Sequence, residues 1–427
     1  MRFVVAAAGS RGEGEPLIAL CTQLQSHGHD VIFIGMEDFQ SQAHTFGINY
    51  HRVAGSLRSY LQAPENRGMW EGDSDSIKKY NQTFWIPAYR GMLEAIWQEA
   101  QHADLLILNS GLRPAQKAGE ILGIPTFISC ASPGLSPTKY FPHLLAPQFK
   151  PGFLFNKLSY FVNRLRPADD YAVVSDWYRE TLRVPPPKRY DNYLKLNGRR
   201  LPILYFYSEE LFPSPPDWDD SVCVCGYWWL PMDPTWEPSS ALLEFLQSEA
   251  PFVCVSFGSM IGPYPERTTE LVAETIRRLP YRFLVCGGWG GLSNVSLPEG
   301  SLFIESVPFQ WLFPYVDLVV HHGGAGVVST TLKARKPAVI CPVGADHPFW
   351  AAAAHRKGVA PPYRMHRELT ADWLVDSIQS VFSTPSMFRA ADELGGKLRE
   401  EDSFGKTISF IERNVETWQL KYQNSNR

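Results

Sequence analysis

Residues 321–326 read His-His-Gly-Gly-Ala-Gly, between the apolar run DLVV (317–320) and a stretch of helical character, VVSTTLKAR (327–335). A helix start carries backbone N–H groups without intrahelical partners and the positive end of its dipole, so it suits an anion. Glycines let anion oxygens approach the backbone, and an imidazole adds a donor to the same oxygens. Taken alone, the six residues also fit a tight strand-to-helix turn with satisfied histidines. The pattern has neither the G-K-S/T of a P-loop nor the G-x-G-x-x-G spacing of a dinucleotide site. Two acids stand at other turns: Glu13 in GSRGEGE (9–15) and Asp346 in GADHP (344–348). By themselves they read as a solvated acid on a Gly-rich loop and a surface-loop acid.

The elements that would position these residues follow one grammar in both halves of the chain. FVVAAA (3–8), a Gly-rich turn, a helix over 16–28 and VIFIG (31–35) make a βαβ unit, hence a parallel sheet. DLLILN (104–109), a helix around 114–122 and TFISC (126–130) repeat it. FVCVSFG (252–258), a helix over about 265–279, RFLVCGG (282–288), SLFIES (301–306), DLVV and AVICPV (338–343) start it again. Apolar runs without alternation are strands covered on both faces. The expected fold is α/β, two doubly wound Rossmann-like domains facing across a cleft, with ligands at the carboxyl ends of the strands. The expected division is an N-terminal domain over 1–215, a Pro- and Asp-rich linker over 216–240, a second domain over 241–400, and a C-terminal helix over 401–427 packing back on the first. Residues 130–200 mix Pro, Gly and aromatics with poor periodicity. They fit either an insertion packed on its own domain or an apolar lining for a ligand near the cleft.

Composition narrows the partners. The chain of 427 residues is long enough for two or three domains. A formal net charge of −4 offers no electrostatic reason to expect nucleic acid. No apolar run approaches the ~20 residues of a membrane span. The opening MRFVVAAAGSRGEGEP is at the short edge of a secretory signal and lacks a cleavage-like site, and seven scattered cysteines fit a reducing compartment, so a cytoplasmic location is expected. Cys223 and Cys225 are spaced as neighbours on one strand face, and no metal site is expected. The sequons at Asn81 and Asn294 read as chance matches.

Residues 302–360, LFIESVPFQWLFPYVDLVVHHGGAGVVSTTLKARKPAVICPVGADHPFWAAAAHRKGVA, resemble the donor-binding signature of nucleotide-sugar-dependent glycosyltransferases of the GT-B fold. Sterol glucosyltransferases and bacterial antibiotic glycosyltransferases are the nearest in pattern. GSRGEGEP (9–16) is similar to their N-terminal G-S/T-R-G-D-V-x-P loop, and FGSM (257–260) and GGWGG (287–291) resemble further family stretches. The resemblance spans most of the chain and is densest over 250–360. It implies an inverting, metal-independent transfer of a hexose, glucose first, from a UDP- or dTDP-sugar to a hydroxyl of a lipophilic acceptor such as a sterol, terpenoid or polyketide. The nucleotide sugar is then a co-substrate and no cofactor is needed. Peripheral membrane contact is a route by which such an acceptor would be reached.

Carried over by position, the resemblance assigns His322 to the donor diphosphate, with backbone N–H groups of Gly324, Gly326 and Val327 beside it. Ser259 would line the phosphate and sugar region. Ser306 and Val307 fall where the base is held, and Asp346 and His347 where the sugar hydroxyls are. Glu13 takes the place of the base that removes the acceptor proton. The insertion over 130–165, with Phe141, and the aromatics Trp70, Phe84, Trp85 and Tyr89 would line the acceptor side. The chain departs from the pattern in three places: Glu13 stands for Asp, Phe309 for the His of P-H-D-W, and His347 for Gln. Glu13 reaches roughly 1.5 Å further than Asp, a displacement that matters to rate. His143, in the insertion, is the substitute base should Glu13 not serve. His29 reads as a cap or packing residue. Two other activities are weighed against this one. An epimerase on nucleotide sugars would need more acid/base groups on the donor-facing loops. A silent homologue activating a partner transferase would have lost the diphosphate residues, and His322 and Asp346 are present.

Overall fold

The structure is a computed structural model. It describes the chain except 64, 67–72, 147–151, 166, 259–264, 290–291, 293–296 and 426–427, and the side chains of 265 and 420–425. Trp70, Ser259 and the sequon at Asn294 lie outside the described residues. In chain order the strands of the first half are β1 (Arg2–Ala7), β2 (Asp30–Met36), β3 (Asn49–Val53), β4 (Leu105–Asn109), β5 (Thr126–Cys130), a hairpin β6 (Lys195–Leu196) and β7 (Arg199–Arg200), β8 (Ile203–Tyr205) and β9 (Val222–Val224). Apart from the hairpin they form one sheet, ordered β3-β2-β1-β4-β5-β8-β9, with every pairing parallel. The second half gives β10 (Phe252–Ser256), β11 (Arg282–Cys286), β12 (Ser301–Ile304), β13 (Leu318–His321) and β14 (Ala338–Ile340). These form a parallel sheet ordered β12-β11-β10-β13-β14.

Burial explains why these runs are strands. LLILN and TFISC are buried at every position, as strands sandwiched between helix layers must be. Each sheet reverses its order beside its first strand, between β1 and β4 and between β10 and β13, and ligands of open α/β sheets bind at such switch points. Register brings the strand ends level: Ala6 pairs with Leu108, and Ser256 with His321. The turns after β1 and β4 therefore lie side by side, as do those after β10 and β13.

Three boundaries bear on the expectation. The first helix spans Arg11–Ser26 and so begins in the Gly-rich turn, with Ser10 extended as its N-cap. Gly14 is needed there because a side chain would run into the Phe39 ring. The first sheet extends past 215, since β9 adds its edge strand within the expected linker 216–240. A strand that pairs beside β8 buries backbone groups that a linker would leave to water. The chain then passes through Trp229, whose Nε1 donates to Ser329 Oγ at 3.3 Å in the second half. The last helix, Ser403–Ser425, lies against the first half: Ile408, Phe410 and Ile411 share a core with Phe3, Val5 and Phe127. Thr407 Oγ1 accepts from Trp228 Nε1 at 2.9 Å.

The halves also share a core. Phe141 and Phe212 of the first half pack on Phe349 of the second, with ring centroids 6.2 and 4.7 Å away, and Tyr207 meets Trp350 at 5.4 Å. All seven cysteines are buried free thiols. Among the described residues no helix is long and apolar enough to cross a membrane, and no group of three His, Cys, Asp or Glu side chains is placed to hold a metal.

Candidate functional site

Glu13 is in the first turn of the helix that follows β1, not on a free loop as the sequence suggested. Its N–H donates to Ser10 O at 2.9 Å. Gly9 just before it has φ of +124°, and a Cβ there would sit 3.3 Å from Glu13 Cγ, so the turn and the acid fit best around glycine. Asn109, the last residue of β4, donates from Nδ2 to Glu13 Oε2 at 3.1 Å. The same amide is fixed by Ala8, donating to its carbonyl at 2.8 Å and accepting from its N–H at 3.4 Å. The residue retains some contact with solvent, yet its carboxyl pKa is raised from 4.5 to about 7. Burial is the largest cause, the Asn109 hydrogen bond opposes it, and the charge of Asp346 adds to it. Asp346 belongs to the other half, so the two acids face each other across the cleft.

On the second half, His321 ends β13 and the helix Ala325–Lys333 begins four residues on, with Gly324 as N-cap and no side chain capping it. The three glycines do different work. Gly323 has φ of +87°, a left-handed turn that L side chains rarely adopt. A Cβ on Gly324 would stand 2.6 Å from His322 Nε2, and one on Gly258, after β10, 2.8 Å from His322 Cε1. Gly326 faces open space. The His322 ring is thus clasped between two bare backbone positions at the switch point, and its Nδ1 is buried without a hydrogen bond. Burial, then the neighbouring imidazoles of His347, His321 and His366, hold His322 well below the usual histidine range. His321 is lowered to about 3 by burial and by His347. His321 accepts the Gly323 N–H on Nδ1 at 3.0 Å and so fixes the turn. Both rings are therefore neutral near pH 7.

Asp346 and His347 follow β14. Ala345 before them takes a φ of +52°, a conformation that is costly for a residue with a Cβ and is met most often at functional sites. Asp346 is the N-cap of the helix His347–Arg356, and its Oδ2 accepts from Trp350 Nε1 at 2.9 Å. His347 is buried, edge-on to His322 at 4.9 Å, with an unbonded Nδ1. Ser306 is exposed just past β12, and Val307 is buried in the cluster that holds Val327. His322, His347, Gly324, Gly326 and Asp346 therefore gather at one end of the second sheet, opposite Glu13.

Among the described residues the aromatic candidates do not form a single wall. Tyr89 is packed in the core, with its hydroxyl donating to Gly111 O at 3.3 Å, and Phe84 is buried against Tyr60 and Tyr80. Both rings, expected on the acceptor side, pack within the first half. Trp85 stacks on Tyr89 at 5.4 Å and donates to Asp170 Oδ1 at 3.1 Å. Phe141 is half-buried between the halves on Phe349. His143 is buried in the insertion, with a pKa lowered to about 4 chiefly by burial. Sequence reasoning missed Asn109, whose one signal is a polar residue closing the apolar DLLILN, and Trp350, which holds Asp346.

Two parallel sheets of this topology, each with a switch point beside its first strand, define the GT-B class of fold. The matches to known proteins are of that class in both halves. Residues 3–86 match the glycosyltransferase family 28 N-terminal domain, and residues 291–403 match the erythromycin biosynthesis protein CIII-like C-terminal domain. Both halves of the chain are thus similar to glycosyltransferase domains. A sterol 3-beta-glucosyltransferase of Arabidopsis thaliana is 30% identical over 420 residues, covering 96% of this chain and 64% of the relative. A sterol 3-beta-glucosyltransferase of Neosartorya fischeri is 28% identical, covering 97% and 30%. The chain thus spans less than two thirds of either relative. Among solved structures, the glycosyltransferase of kitacinnamycin superposes with a TM-score of 0.68 at 18% identity, covering 96% of this chain and 98% of that one. Glycosyltransferase VinC in complex with dTDP gives 0.65 at 18%, covering 98% and 100%. These structural likenesses are of fold.

Proposed function

We propose that the chain is an inverting, metal-independent hexosyltransferase that moves glucose from a UDP- or dTDP-sugar to the hydroxyl of a lipophilic acceptor such as a sterol. The observation that carries the reading is Glu13, with a carboxyl near pKa 7, facing Asp346 and the His322 turn from the opposite sheet. The acceptor hydroxyl gives its proton to Glu13 as its oxygen attacks the anomeric carbon. The bond from that carbon to the diphosphate breaks on the opposite face, and its electron pair leaves with the nucleotide. Asn109, donating to Oε2, holds the carboxyl in place for that transfer. A base whose pKa lies near the working pH transfers protons most effectively. The departing diphosphate is met by the neutral His322 and the open N-terminus of the helix Ala325–Lys333, which stabilise developing charge without a metal. Asp346 and His347 hold the sugar, the carboxylate offering a fork of acceptors suited to its hydroxyls. The sterol enzymes among the relatives support the acceptor class, and the dTDP complex of VinC supports a nucleotide diphosphate donor.

The test is to incubate the protein with UDP- and dTDP-sugars and a panel of sterols, terpenoids, polyketide aglycones and sugars, and to read product masses. Addition of one hexose to a lipophilic alcohol is the expected result. Transfer only to hydrophilic sugars, or epimerised donor with no transfer, would refute it.

A further inference from the structure

The insertion between β5 and the hairpin has its polarity reversed. In the helix Phe153–Ser159 and the turn Tyr160–Arg164, several inward positions are polar and bonded. Asn156 is buried and donates to Lys139 O at 2.8 Å, Ser159 Oγ accepts from His143 N at 2.7 Å, and Asn163 donates to Gly134 O at 2.8 Å. The outward positions are large and apolar: Phe153 is 68% exposed, Leu154 75%, Leu158 62%, Phe161 52% and Leu165 54%. Water does not favour this arrangement, since burying these side chains instead of Asn156 and Asn163 would remove far more apolar surface from solvent. Contiguous exposed patches of this kind mark interaction sites. Among the described residues, nine of the fifteen exposed large hydrophobics fall between Tyr140 and Tyr190, so the feature is local and not a property of the whole surface.

Charge identifies the occupant. From Lys139 to Pro167 the sequence carries Lys139, Lys150, Lys157, Arg164 and Arg166 and no Asp or Glu, in a chain whose net charge is −4. Lys139 Nζ lies 5.3 Å from the Tyr140 ring centroid and 6.0 Å from that of Phe153, so a cation stands beside the apolar face. Among the described residues Asp217 meets this segment, accepting from Thr138 Oγ1 at 2.6 Å and from the Lys139 N–H at 3.0 Å, so its carboxylate is turned to the backbone; Asp169 and Asp170 follow the segment in the next helix, where Asp170 accepts from Trp85. Apolar side chains interleaved with bases are what an interfacial segment presents to lipid tails and anionic headgroups together. A protein partner covering the same face would have to be both apolar and acidic.

We infer that the face formed by Phe153, Leu154, Leu158, Phe161 and Leu165 docks the protein on an anionic lipid bilayer, from which its acceptor is drawn. The docking names the source of the acceptor proposed above. It rests on that reading only for its purpose, and vesicle binding is measured with no sugar donor present.

The experiment is sedimentation of the full chain with vesicles of phosphatidylcholine alone or of equimolar phosphatidylcholine and phosphatidylglycerol. The wild type should bind the anionic vesicles and release in high salt. Leu154→Glu with Leu158→Glu should reduce partitioning at least ~10-fold, and Lys157→Glu by more than about 5-fold, since each juxtaposed base is worth roughly that factor and the reversal adds repulsion. All three positions are exposed, and circular dichroism with UDP affinity checks that each variant is folded. Failure of the wild type to bind either vesicle, or binding that none of these changes weakens, overturns the inference. A concentration-dependent dimer in solution, abolished by the double change, would assign the face to a second copy and also overturn it. Vesicle binding without sugar transfer leaves the docking standing and sinks the proposed reaction, and transfer without vesicle binding does the reverse.

Discussion

Asn109→Asp puts the reasoning about the base under the most direct strain. The change is nearly isosteric, but it replaces the donor that holds Glu13 Oε2 at 3.1 Å with a second carboxyl. Two unit charges about 4 Å apart repel by about 4 kcal/mol at an effective dielectric of about 20. At 1.36 kcal/mol per pKa unit that is about three units. The pair titrates as one system, and Asp, with the lower intrinsic pKa, takes the charge first while Glu13 keeps its proton. In the wild type Glu13 is half ionised near pH 7, because its pKa is raised to about 7. In the variant the ionised fraction at pH 7 falls by roughly two to three orders of magnitude, and so should kcat/KM. The assay is kcat/KM against pH with the best acceptor found by mass, under conditions where single-turnover rates show chemistry to be limiting. The acidic limb should move from about 7 to between roughly 9 and 10, with activity returning as the pH rises. UDP affinity should hold, because the donor site is built from the other sheet. A limb that stays near 7 with a lower plateau would give Asn109 only a structural role and remove Glu13 as the titrating base.

Four further variants test the same geometry. Glu13→Gln should cut turnover by about 10²–10⁴ with UDP binding intact. Because the folded carboxyl pKa is raised from 4.5 to about 7, the wild type loses stability as the pH rises through that window, and thermal melts should show Glu13→Gln gaining on it between those values. Asp346→Asn removes a charge that raises the Glu13 pKa, so the acidic limb should shift below 7, opposite in sign to Asn109→Asp. His322→Ala should weaken UDP binding by calorimetry about 10- to 150-fold, the loss of a hydrogen bond to a charged acceptor, and unchanged affinity would exclude it. His347→Gln should alter the relative rates with UDP-glucose and competing sugars more than it alters UDP affinity, and identical donor profiles would count against the sugar assignment.

The two-sheet architecture is legible in the sequence because buried parallel strands leave unbroken apolar runs, and FVVAA, LLILN and FVCVS need no tertiary knowledge to read. The turn at 321–326 is legible for a related reason: few purposes require three glycines after two histidines. The start of the first helix is not, since Gly12 and Gly14 argue locally for a loop, and only the Phe39 ring against Gly14 shows why glycine is kept inside a helix. The aromatics carry no direction of their own. Trp85 and Tyr89 are four residues apart on one helical run, and whether that face meets the cleft or the core depends on packing that no local pattern carries. Asn109 is invisible as a site residue because its partner is 96 positions away, brought near only by the pairing of β1 with β4.

The placement of Glu13 and His322 on separate sheets has its own physical logic. Direct displacement needs the nucleophile and the leaving group on opposite faces of one carbon. A single doubly wound sheet has one switch point, whose loops approach a ligand from one side. Two such sheets with their switch points opposed can place a base on one face and an anion cradle on the other, provided that the spacing between them is fixed. Phe141, Phe212 and Phe349 supply that fixed spacing here, and Phe349 is three residues from Asp346 on the helix that Asp346 caps. The contact that joins the halves and the carboxylate that faces Glu13 thus ride on the same rigid element. A change in how the halves pack is transmitted to the Asp346–Glu13 distance, and through it to the pKa on which the proposed proton transfer depends.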